Sequence, residues 1–100
     1  MAVKVLIKRH FHPEHLKQAA KMLIKARYEA MTMDGYIASE TWHDLHDPSW
    51  ITVVSMWQTL EAWDRWYISS QRRELSAELG KLMVEGEGIE PYALGMPQTT

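Results

Sequence analysis

One hundred residues allow one hydrophobic core and no more, because a chain of this size buries roughly two-thirds of the surface its unfolded form exposes. Eleven basic against thirteen acidic side chains leave a formal net charge of -2 with the two signs interspersed, so the positive surface that a polyphosphate partner demands is missing and nucleic acid is excluded. There is no cysteine, hence no disulfide and no thiolate nucleophile or metal ligand, and no stretch has the length and apolarity of a membrane span or signal peptide; the expectation is a cytoplasmic protein with no membrane attachment.

Five tryptophans accompany a single phenylalanine. Each indole can bury roughly 150–250 Å² and wants an acceptor for its N–H. Such a count predicts a broad aromatic wall or a subunit interface.

Residues 2–11 predict a strand, since Val3, Val5 and Ile7 alternate with Lys4, Leu6 and Lys8 at a period of two and the odd positions make the core face. Pro13 suits a first helical turn, where its missing N–H costs nothing, and Glu14 suits the positive end of the helix dipole. This first helix runs to about Met31. Leu16, Ala19, Ala20, Leu23, Ala26 and Ala30 fall within one arc of about 120°, with Lys17, Lys21 and Lys25 opposite, so the helix lies on a sheet. Arg27 falls inside the apolar arc.

Asp34-Gly35 ends the helix, residues 36–46 predict a second strand, and the turn Asp47-Pro48-Ser49 leads into a third from Trp50 to Trp57, making a hairpin. Thr59 can cap a second helix carrying Glu61 in its first turn, with Leu60, Trp63 and Tyr67 on a common face. The helical pattern restarts near Ser69-Ser70, where Leu75, Leu79 and Leu82 form the next stripe. Gly86 and Gly88 stop it. Residues 89–95 predict a short last strand whose Pro91 belongs at an edge. One domain over residues 1–95 and a loose tail over 96–100 complete the expectation.

The order strand, helix, strand, strand, helix, strand predicts an α+β fold of ferredoxin-like βαββαβ topology, with two helices on one face of a four-stranded antiparallel sheet. The other face is left uncovered. Leu6, and whichever of Trp42 and Trp50 point outward, would expose apolar surface there, so a homodimer pairing two sheets face to face is the expected remedy.

The run from Ser55 to Arg73, SMWQTLEAWDRWYISSQRR, resembles the signature of the antibiotic-biosynthesis monooxygenase family: a serine and tryptophan ending the third strand, Glu-Ala-Trp opening the helix, then tryptophan, serine and arginine. Gly35-Tyr36 before the second strand and Tyr92 in the last fall where that family has them, and the likeness covers roughly residues 2–95. The resemblance implies a dimeric α+β barrel. It also implies one of several chemistries: cofactor-free oxygenation of aromatic polyketides and quinols, haem degradation, or small-molecule isomerisation and hydrolysis. In the haem-degrading branch a tryptophan on this helix, matched by Trp66, precedes an iron-ligating histidine by ten residues. That position is Ser76 here, and the strand-one asparagine of the same branch falls near Ile7. The cofactor-free branch uses asparagine, tryptophan, tyrosine and arginine, and this chain has no asparagine; Trp66, Tyr36 and Arg72 match by type.

An acidic phenol or quinol would need cations or N–H donors at its developing oxyanion, within an apolar cleft that excludes water. Arg72 at the edge of the Leu75 stripe, Arg9 on the helix-facing side of strand one and Arg27 in the apolar arc could all point between helices and sheet. Long arginine stems also lie on apolar surface for packing alone. Trp57, Trp63 and Trp66 could line a flat site, although tryptophans at helical spacing are more often core. His10, His12 and His15 fall at the same sheet end as His43 and His46; the two groups stand roughly 10 Å apart across the intervening strand, so solvated histidines are the stronger reading and a metal site the weaker.

The leading expectation is therefore a monooxygenase acting on a small aromatic or quinol-like molecule with no bound metal or organic cofactor. Trp66 and Arg72 are its candidate catalytic residues, with Arg9, Arg27, Tyr36, Trp57 and Trp63 binding the substrate. A non-catalytic ligand-binding dimer of the same fold is the alternative, with haem degradation behind it.

Overall fold

The computed structural model describes residues 1–98; Thr99 and Thr100, the end of the expected tail, lie outside the described residues. Its elements are β1 (Val3–His10), a 3-10 turn (Pro13–His15), α1 (Leu16–Ala30), β2 (Tyr36–His43), β3 (Trp50–Trp57), α2 (Leu60–Ile68), α3 (Ser70–Gly80) and β4 (Gly88–Ala93). The four strands form one antiparallel sheet in the order β2-β3-β1-β4, which is the ferredoxin-like α+β topology. Pro91 lies on β4, an edge strand, where its missing N–H leaves no ladder bond unmade.

Strand register decides which residues meet under the helices. Val3, Val5, Ile7 and Arg9 of β1 stand opposite Trp57, Ser55, Val53 and Ile51 of β3, and both sets share the helix-covered face. Between Tyr36 and Ala38 the β2–β3 register shifts by one residue, so Tyr36 pairs with Trp57 and Ser39 with Ser55. A strict alternation would send Tyr36 and Ser39 to opposite faces; the bulge brings them to one.

Three local devices close the fold. Gly35 has φ +87, and a Cβ there would stand 2.5 Å from the Ala62 Cβ, so only glycine allows both the turn and the approach of α2. Thr59 accepts the Ala62 N–H at 3.1 Å and caps α2. Ser69 is extended (φ -63, ψ 148) and separates α2 from α3; its hydroxyl accepts the Arg72 N–H and donates to the Trp66 carbonyl, tying two candidate residues to one hinge.

β2 ends at His43, earlier than the expected residue 46. The Asp44 carboxylate accepts the N–H groups of His46 and Asp47, which turns the chain out of the ladder three residues early. The first helix likewise begins as a 3-10 turn at Pro13 and becomes α-helical only from Leu16.

Beneath the helices one buried cluster joins Val3, Val5, Trp57, Trp63 and Trp66, and a second joins Phe11, Ala19, Leu79 and Leu82. On the opposite face Leu6, Thr52, Val54 and Met56 follow the alternate register, flanked by Trp42 and Trp50, which are 49% and 38% exposed. His10 stacks on Trp50 there, with ring centroids 4.4 Å apart. No helix of the described residues is long and apolar enough to cross a membrane.

Candidate functional site

Between α1 and the sheet lies a cavity of about 280 Å³. Its floor is the helix-facing row of β3: Ile51, Val53, Ser55 and Trp57. Its roof is α1, whose Ala19, Ala20, Ala26 and Ala30 are too small to reach that floor. Trp66, Leu75, Ser76 and Leu79 from α2 and α3 close one side, while the exposed members of the lining lie on α1 and β2, so the cavity opens along the β2 edge.

Arg9 and Arg72 line this space, and each is only 6–7% exposed. They share one carboxylate. Arg9 donates through Nε to Glu87 Oε2 at 3.0 Å, with its Nη2 ion-paired to the same oxygen at 2.9 Å, and Arg72 donates through Nη2 to Glu87 Oε1 at 2.6 Å. Burial pulls the Arg9 guanidinium below its ordinary value and Arg72's like charge adds to this, against the opposing pull of Glu87. Burial alone would push the Glu87 carboxyl up, but the two guanidiniums and their hydrogen bonds outweigh it and hold the group below the usual carboxylate range. Arginine does not deprotonate in proteins, so the cluster carries two positive charges against one negative. Glu87 is not part of the cavity lining; it faces a shallower hollow on the far side of Arg72, formed with Tyr67, Ile68 and Arg73. Of the three charged residues, only the two arginines belong to the cavity lining.

Arg72 is further fixed by aromatic rings, its Cζ lying 4.5 Å from the Tyr67 centroid and 5.7 Å from that of Trp63. The aromatic end is continuous with this. Trp57 stacks on Trp66 at 6.5 Å and meets Trp63 and Tyr36 edge-on at 6.2 and 5.5 Å. At the mouth, Arg27 reaches from α1 to β2, donating through Nε to Ser39 Oγ at 3.0 Å and through Nη2 to the Ser39 carbonyl, and the Tyr36 hydroxyl meets the same Oγ at 2.9 Å.

The structure thus brings Arg9, Arg27, Arg72, Tyr36, Trp57 and Trp66 to one space. Trp63 is not in the lining; it lies behind Trp57 and supports Arg72. Arg27 is exposed and crosses the mouth of the cavity, because its position on α1 lies toward the β2 edge. Two participants went unread in the sequence. Ser39 is hidden by the β-bulge, and Glu87 sits between two glycines in a segment without periodicity; two arginines on inward faces were the signal that a carboxylate had to answer them. None of the five histidines lines the cavity, and among the described residues no three His, Cys, Asp or Glu side chains gather closely enough to hold a metal ion.

The sequence profile of the antibiotic biosynthesis monooxygenase family matches residues 2–78. The chain belongs to that family. Solved structures agree on the fold: a conserved protein from Methanosarcina mazei Go1 is 20% identical with TM-score 0.86, over 92% of this chain and 91% of that one. Rv0793 from Mycobacterium tuberculosis is 13% identical with TM-score 0.85, over 100% of both chains. SnoaB, a cofactor-independent oxygenase from Streptomyces nogalater solved as a mutant, is 8% identical with TM-score 0.85, over 96% of this chain and 95% of that one. Among curated proteins none matches this chain in sequence. At such identities the structural likeness establishes the monooxygenase-family fold alone.

Proposed function

We propose that this family member is a monooxygenase that oxidises a small, flat aromatic or quinol-like molecule held between α1 and the sheet, with no bound metal or organic cofactor. The observation that carries the reading is a pair of buried arginines in the lining of an apolar cavity while the carboxylate they share lies outside that lining. An enolate or phenolate formed there meets a cluster of net positive charge in a space of low dielectric, which favours the ionised substrate. In a substrate such as anthrone, that electron-rich ring reduces O₂ itself. One oxygen atom of O₂ becomes the new ketone and the other leaves as water with the two methylene hydrogens, so the substrate supplies all four electrons.

In this reading the stacked Trp66 and Trp57 form an apolar wall against the ring system, Arg72 with Arg9 stabilises the anion, and Arg27 with Tyr36 guards the entrance. The structural likeness to SnoaB supports the oxygenase class. The exposed Trp42 and Trp50, with half-buried Leu6 and Met56 between them, support pairing with a second copy through the open sheet face. A cytoplasmic setting accords with the lack of cysteine.

Oxygen uptake by metal-free protein supplied with hydroquinones and anthrones checks the chemistry. Arg72→Ala is expected to lower turnover about 100-fold, the loss typical of a removed oxyanion donor, and Trp66→Phe about tenfold. Absence of uptake with every substrate defeats the enzymatic reading. Sedimentation that shows only an 11.7 kDa species at micromolar concentration defeats the pairing.

A further inference from the structure

Trp57 is the largest fully buried side chain, and its indole N–H has no acceptor. The other buried polar side chains of the cavity lining are partnered: Arg9 and Arg72 on Glu87, and Ser55 on the Val5 carbonyl at 3.4 Å. A buried donor left unpaired is destabilising, whereas burying an indole stabilises by more, so the fold can tolerate the orphan without gaining from it. A phenylalanine would supply much of the ring packing without that cost. The chain nevertheless carries a tryptophan here, in the cavity lining with Tyr36 and Trp66 and backed by the Trp63 ring.

We infer that the Trp57 Nε1–H is a ligand-binding donor, left without a protein partner because its acceptor is an oxygen of the bound molecule. This rests on the cavity being the ligand site, as in the reading above, and adds a second polar anchor to it. The Arg72 Cζ lies 5.7 Å from the Trp63 centroid and that ring lies 6.2 Å from the Trp57 ring, so a single indole separates the two anchors. The ligand class that follows is a compact, flat, apolar fused-ring molecule with an acceptor oxygen toward Trp57 and an ionisable one toward the arginines. A hydrogen bond formed only with the oxygenated ring makes Trp57 a specificity-determining residue.

The pair α-tetralone and tetralin shares one two-ring skeleton, with and without a ketone oxygen. Titrated into the full-length protein, tetralone is expected to bind about tenfold more tightly, the difference that one hydrogen bond to a buried donor confers. In proton–nitrogen spectra the Trp57 indole resonance is expected to move downfield with tetralone and to stay in place with tetralin. Trp57→Phe keeps an aromatic ring and is expected to bring the affinity ratio to about one. An indole resonance unmoved at saturating tetralone, or an unchanged ratio in a folded Trp57→Phe protein, overturns the inference. The spectra of the unaltered protein decide the matter even where the variant does not fold. Failure of both ligands to bind would remove the cavity reading together with this one, whereas a shifted resonance without oxygen uptake would leave the donor standing and defeat only the monooxygenase chemistry.

Discussion

The helix-covered face of the sheet is filled in two different ways. Toward α2 and α3 the contacts come from Trp63, Trp66, Leu75 and Leu79, all buried, and the space is closed. Toward α1 four of the eight lining residues are alanines, and the cavity remains. One continuous helix covers the open side and two helices broken at Ser69 cover the filled one, and the side chains they present differ in volume. The filled half also holds the buried Arg9–Glu87–Arg72 cluster, which the open half receives as a positively charged wall. A rigid, costly arrangement on one side positions the groups that the empty side can use.

The sharpest way to break this division is to remove the carboxylate that holds the filled half. Glu87→Gln leaves two buried guanidiniums facing each other, and a loss of about 3–5 kcal/mol is expected, seen in a thermal melt as a fall of about 12 °C or more. The same residue sets an acid limit. Its carboxyl is held below the usual value of 4.5, so its contribution is fully present above that pH and is lost as the pH falls through the lower folded value. Melting temperatures of the parent protein should therefore fall steeply below about pH 4.5, and Glu87→Gln should flatten that part of the curve. An unchanged acid slope would show that the cluster is not the group titrating.

Filling the empty half should act on binding and not on folding. Ala26→Leu places three more carbon atoms in the cavity; a rise or no change in melting temperature is expected, with tetralone affinity reduced about 100-fold by the lost volume. Destabilisation by more than about 1 kcal/mol would mean that the space is already used for packing. The smallest effect is expected at the mouth. Arg27→Ala removes an exposed bridge to Ser39, so stability should change by less than about 0.5 kcal/mol while ligand exchange, followed by stopped-flow quenching of tryptophan fluorescence, becomes a few-fold faster.

Chain order, strand and helix periods, the cap at Thr59, the break at Ser69 and the edge position of Pro91 were all legible in the linear sequence. Each depends on groups a few residues apart, and local sterics and hydrogen bonding decide them whatever the rest of the chain does. The inward arginines and the tryptophan-rich α2 were legible for the same reason. Where those groups meet was decided only by tertiary structure. Glu87 answers Arg9 across 78 positions, a one-residue shift in register turns Ser39 toward Tyr36, and Trp57 is left without an acceptor by rings from three other positions. Such pairings follow from how the strands align and how closely the helices settle on them, and periodicity carries no record of either.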